Sequence, residues 1–247
     1  MVAIALIYLA AFAGAEAVTA LVNPLWGIVL HLVLLFGLIV ASAKASKHQS
    51  PGLFLALGLV PLIRIVSLSM PSAYLSRLHW YLIMSFPLIF AAFAIVKVLN
   101  RRLMDIGLTV RAIPLQILVA SCGIGIGLLD YVVLRPEPLI SALSLRGVVL
   151  PALILLFATG FVEEMIFRGV IQREAEALGS WGWVYTAVLS SMLQIGHHSV
   201  VHWILAFAMA LLFGWTVKRG GSILGVSLSH GLINIGLYLV FPFVTWH

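Results

Sequence analysis

The chain has 247 residues, 63% of them hydrophobic and only 9% charged, with a mean hydropathy of +1.17. Soluble domains carry roughly a quarter charged residues, and apolar runs following one another from Val2 to Phe243 exceed what one folded core can hide, so a water-soluble globule is excluded. The net charge of +6 does not point to nucleic acid, because the Lys and Arg residues are scattered over the breaks between apolar runs.

A membrane-spanning helix needs about 20 mostly apolar residues at about 1.5 Å each. Divided at its charged, Pro-rich and Gly-rich breaks, the chain offers nine candidates in order: Val2–Val22, Leu25–Ala43, Leu53–Leu68, Trp80–Val98, Ile113–Val133, Gly147–Ile171, Trp181–Gly196, Val200–Val217 and Ser222–Val240. The third and seventh are short, so the fold expected is an all-α, polytopic transmembrane helical bundle of eight or nine spans. The first candidate has no Lys or Arg before it, carries Glu16 and is longer than a signal-peptide core, which makes it a retained helix. Arg64 lies inside the third. At mid-bilayer, charges such as Glu16 and Arg64 each cost about 2.5–3.5 kcal/mol unless paired or hydrated, so an ion pair or snorkelling is expected. Cys122 is the one cysteine and falls within the fifth candidate, which leaves no disulfide framework and no cysteine-rich metal site.

With the N-terminus cytosolic, Lys44, Lys47, Lys97, Arg101, Arg102, Arg111, Arg168, Arg173, Lys218 and Arg219 face inward and only Arg77, Arg135 and Arg146 face outward. Nine spans then put the C-terminus outside. No linker, low-complexity tract or internal repeat divides the chain, so it is read as one membrane domain. Residues 1–146 form accessory helices, and residues 147–247 hold the polar residues that recur at helical spacing.

The sixth span reads Phe161-Val162-Glu163-Glu164-Met165-Ile166-Phe167-Arg168-Gly169 after an uncharged run. Glu164 and Arg168 are four apart and can pair on one helix, while Glu163 points about 100° away and is left over. The plain alternative is that both acids mark a helix end. In the seventh span His197 and His198 follow Ser190-Ser191-Met192-Leu193-Gln194-Ile195-Gly196, with His202 one turn on. Three histidines in six residues point to a polar cavity, although loop histidines would read the same. In the last span His230 and Asn234 share a face about 15 Å from Gly221, too deep for a helix end, and an interhelical hydrogen bond is the structural alternative. Together these spans supply a carboxylate, imidazoles, a carboxamide and a guanidinium, the set that hydrolysis in lipid requires to hold a water, deprotonate it and stabilise an oxyanion.

These residues resemble the CPBP intramembrane peptidases, the family of the CAAX prenyl endopeptidases and the bacterial Abi proteins. Glu163, Glu164, Arg168 and Gly169 match its EExxxR motif, His230 and Asn234 match HxxxN, and FxxxH matches in part, with His198 at the histidine and Gln194 in place of Phe; His197 with Leu193 is the alternative register. The likeness covers roughly Gly147 to Val240. It implies that Glu163 and His198 activate water, that His230 and Asn234 hold the oxyanion, and that Glu164 and Arg168, with His197 nearby, support the site. No cofactor is favoured; a zinc version would use Glu163, His198 and His230. The substrate implied is a membrane-anchored peptide or protein cut on or within the cytosolic leaflet, in an integral protein of a bacterial or archaeal cell membrane whose partners are that substrate and the lipid bilayer. Alternatives are an inactive relative serving as scaffold or peptide immunity factor, which Gln194 keeps open, and a transporter, which the lack of inverted repeats disfavours. A straight seventh span would carry His198 away from Glu163, so that span is expected to be short, tilted or broken near Gly196.

Overall fold

All nine predicted spans contain helix in the computed structural model, which describes residues 2–46, 50–71, 74–197 and 199–244, and of His197 the backbone alone. Among the described residues there is no strand, and eight helical runs are long and apolar enough to cross a membrane. The first five are α1 (Val2–Leu21), α2 (Pro24–Lys44), α3 (Pro51–Ser69), α4 (Arg77–Val98) and α5 (Ile113–Leu134). The run Leu145–Met192 is a bent pair: a long arm, α6 (145–175), turns at Gly179 (φ 77°) into a short return arm, α7 (Gly182–Met192). The last two are α8 (Val200–Gly220) and α9 (Leu224–Val244).

Local chemistry sets these ends. Asn23 caps α2 by accepting from the Leu25 N–H at 2.8 Å, with Pro24 in the first turn, where its missing N–H costs nothing. Ser144 caps α6 at the Gly147 N–H and Ser199 caps α8 at the His202 N–H, both at 3.2 Å. Gly221, at φ 67°, stops α8 while its N–H returns to the Val217 carbonyl at 2.8 Å.

The connections gather at two ends. At the basic end Arg101 Nε donates to Glu174 Oε1 at 2.8 Å, the Ile223 N–H to the Gly107 carbonyl at 3.0 Å, and the Tyr185 hydroxyl to the Ala5 carbonyl at 3.2 Å. Here too Arg102 grips Asp105 and holds its carboxyl down to about 2, so that tie persists through the physiological range. At the far end the Leu139 N–H donates to the Tyr238 carbonyl at 3.1 Å, and Arg77 lies over the Tyr238 ring.

α9 is wedged between α5 and α6. A Cβ at Gly123 or Gly127 of α5 would run into the backbone of Ser229 and Ile233, and one at Gly160 of α6 into the Ser227 carbonyl and Gly231. Backbones in lipid associate this closely only over such small residues.

The N-terminal helices close over a buried charge cluster. Arg64 of α3 forks onto both carboxylate oxygens of Glu16 on α1, and His31 Nε2 of α2 stands 3.2 Å from Glu16 Oε1. Of the two fates expected for Glu16 and Arg64, the ion pair is realised. The same guanidinium donates from Nη2 to the Leu193 carbonyl at 2.7 Å, holding the chain where α7 stops. That stop is the expected break: α7 has 11 residues, about 16 Å of rise, and gives way at Leu193 to turns and the 3-10 segment Ile195–His197. The seventh predicted span is therefore half a span. It interrupts earlier than Gly196 because Leu193 and Gln194 turn back onto the Ser190 and Ser191 carbonyls at 3.3 and 3.0 Å.

Removing one partner of a buried pair leaves an uncompensated charge. Arg64→Met is expected to lower stability in detergent by about 3–5 kcal/mol, read as a fall in Tm, with much of the loss recovered by adding Glu16→Gln. A single variant as stable as the parent would show that Glu16 has enough support without Arg64.

Candidate active site

α6 is irregular where its acids lie. Val162–Glu164 form a single α-helical turn between two π-helical stretches, Leu156–Phe161 and Met165–Ile171. Such widened turns are rare and collect at functional sites, because the extra residue re-aims the side chains that follow. Gly160, pressed against α9, brings the acid-bearing turn alongside His230 and Asn234.

Glu164 is fully buried and shared. Its Oε1 accepts from Arg168 Nη1 at 3.2 Å on its own helix and from His230 Nδ1 at 2.7 Å on α9. Arg168 also donates to the Ala210 carbonyl at 3.4 Å and lies against the rings of Phe167 and Phe213. Because a carboxylate accepts at Nδ1, that nitrogen carries the hydrogen and Nε2 is the one left for a ligand. One turn along, Asn234 Nδ2 donates to Thr159 Oγ1 at 2.9 Å, and the Thr159 hydroxyl donates onward to the Leu155 carbonyl at 2.6 Å. Asn234 is thus oriented through one amide hydrogen and keeps the other.

Glu163 lines a cavity of about 110 Å³ together with Thr159, His230, Asn234, His202 and Asp130. Among the described residues no hydrogen-bond or ion-pair partner reaches its carboxylate. The division expected from helical spacing, one acid paired and one left over, is what the helix presents.

His202, one of the three histidines expected at a polar cavity, is joined there by Asp130, which the sequence reading had not singled out. His202 Nδ1 is 2.7 Å from Asp130 Oδ1, both residues are buried, and the amide of Gln194 stands 3.5 Å from His202 Nε2. One signal was available in advance: Asp130 is the sole acid in the span Ile113–Leu134, and an acid there needs a partner. Gln194, standing where the motif has Phe, faces the cavity as a polar wall. Residues before 147 also reach this region, since α5 contributes Asp130 to the cavity wall and Arg64 of α3 holds the Leu193 carbonyl.

His198 lies outside the described residues, and His197 is described only as backbone in the 3-10 turn, so the two registers of the histidine motif stay as the sequence left them. Among the described residues no group of three His, Cys, Asp or Glu stands where it could hold a metal ion; the set Glu163, His198 and His230 includes one residue beyond them.

No curated protein and no solved structure matches the chain. A family model does, and its limits enclose the acid pair, His230 and Asn234 of α9 and the broken span. Over residues 145–236, therefore, the chain matches the type II CAAX prenyl endopeptidase Rce1-like family, the membrane proteases that its motifs resemble.

Proposed function

We propose that this chain is an intramembrane endopeptidase in which Glu163 activates a water molecule for attack on a peptide bond of a membrane-associated polypeptide. The contrast between two adjacent acids supports this reading: Glu164 is engaged by Arg168 and His230, while Glu163 faces the same cavity with no partner among the described residues. An unpaired carboxylate in the membrane is costly to keep, and a bound water repays that cost by giving it a hydrogen bond.

In the reaction Glu163 takes a proton as the water oxygen bonds to the carbonyl carbon. Asn234 donates its second amide hydrogen to the oxygen that becomes negative. His230 donates from Nε2 when its ring is doubly protonated, with Glu164 as counter-charge. As the intermediate collapses, the C–N bond breaks and the departing amine receives the proton from Glu163, leaving a new carboxylate and a new amine. The resemblance gives a further imidazole to this step through His198. His202, oriented by Asp130, is the imidazole that lines the cavity among the described residues, and we assign it to holding the water. No step requires a metal.

Glu163→Gln is expected to lower turnover by about 10²–10⁴-fold with Tm unchanged, and Asn234→Ala by about 10²–10³-fold. His202→Ala and Asp130→Asn should both reduce kcat, the aspartate change less. The direct measurement compares membrane-protein termini between cells carrying the parent chain and cells carrying Glu163→Gln. New termini present only with the parent are expected, and identical sets of termini would remove the protease reading. Activity of the purified protein should persist in a chelator; loss restored by added zinc would replace the metal-free route.

A further inference from the structure

At the basic end, where the connections 99–112 and 176–181 meet the turn after α8, lies a second cavity, of about 410 Å³, which shares no lining residue with the one that holds Asn234 and His202. Its cationic walls come from the ends of membrane runs. Arg111 stands two residues before α5, Arg173 is in the last turn of α6, and Lys218 is in the last turn of α8. Trp183, the second residue of α7, completes this wall. The cavity therefore sits at the level where spanning helices give way to lipid headgroups, the level at which Trp, Lys and Arg anchor a membrane protein.

The charges in this cavity do not balance. Arg111, Arg168, Arg173 and Lys218 line it against two acids, Asp105 and Glu176. Both acids are already matched: Arg102, from outside the cavity, grips Asp105 at 3.1 Å, and Arg173 reaches Glu176 at 2.7 Å. Arg168 is engaged with Glu164. Arg111 has no carboxylate partner among the described residues, and Lys218 has neutral neighbours, the Ser180 carbonyl at 3.2 Å and the Trp183 ring at 5.7 Å. Folding thus brings two cations from remote parts of the sequence to one cavity, and neither has an acid of the chain as its counter-charge. The connection that carries Arg111 also exposes Leu103, Met104 and Val110, and Met104 lines the cavity. Large apolar side chains exposed beside arginines suit a loop that lies in the headgroup layer with its apolar groups toward the acyl chains.

We infer that this cavity binds the phosphate of an anionic phospholipid headgroup, with Arg111 and Lys218 as its counter-charges. Basic pockets between membrane helices recognise such headgroups by charge. A lipid is favoured over free phosphate because the exposed Leu103, Met104 and Val110 give acyl chains a surface that inorganic phosphate would not use. The bound headgroup would tie the start of α5 to the end of α8. Arg168 lines this cavity and also the small one of about 30 Å³ that Glu163 and His230 line, so the lipid would stand one side chain from the candidate active site. Such binding is independent of whether Glu163 cuts a peptide.

The full chain, purified in a neutral detergent, tests this through its Tm, followed as a short-chain phosphatidylglycerol is added. A saturable rise is expected, with no rise from phosphatidylcholine of the same chain length or from inorganic phosphate. Arg111→Gln and Lys218→Gln should each raise the half-maximal lipid concentration about fivefold, the loss of one cation near a headgroup. Both side chains are exposed, so neither change opens a buried gap. Arg146→Gln, an exposed cation at the other end of the bundle, should leave the titration unchanged. An equal response to phosphatidylcholine would overturn the proposal, as would an unshifted titration in the Arg111→Gln, Lys218→Gln double variant. Inorganic phosphate reproducing the whole rise would overturn the lipid as the occupant.

Discussion

Inside a hydrocarbon layer a carboxylate is costly to keep without partners, and the double engagement of Glu164 by Arg168 and His230 governs what lies around it. The bond to Arg168 holds the guanidinium between the rings of Phe167 and Phe213. The bond to His230 ties α9 to α6 and leaves Nε2 as the ring nitrogen not engaged by Glu164. Both partners converge on Oε1 of Glu164, while the acid beside it on the same turn, Glu163, lines the cavity.

The close approach of α5, α6 and α9 makes that double engagement reachable. Gly160 lets α6 pack backbone-close against α9 where the 2.7 Å bond from His230 to Glu164 forms, and Gly123 and Gly127 do the same for α5 against the other side of α9. The same approach brings Asn234 onto Thr159, so both polar residues of α9 are oriented from α6.

The N-terminal helices support the site as well as flanking it. Glu16, Arg64 and His31 form a second buried charge cluster, and its guanidinium reaches the Leu193 carbonyl where α7 breaks. A backbone carbonyl released from a helix in lipid must find a donor, and Arg64 provides one. Half a span is stable here because a distant helix satisfies its frayed end, and the gap it leaves admits Gln194 to the cavity wall.

Much of this was legible from residue order. Hydropathy runs reported helices long and apolar enough to cross a bilayer, and the i, i+4 spacing of Glu164 with Arg168 and of His230 with Asn234 reported shared faces, because each is a property of a few neighbouring residues. The spacing even separated the paired acid from the spare one. Contacts between remote segments were not legible: Asp130 meets His202 and Glu16 meets Arg64 only after the helices pack, and which lone charge finds which partner depends on distances no local pattern records. The packing around Arg168 is likewise a product of tertiary structure, since Phe167 and Phe213 read as ordinary apolar residues until α6 and α8 bring them together around the guanidinium.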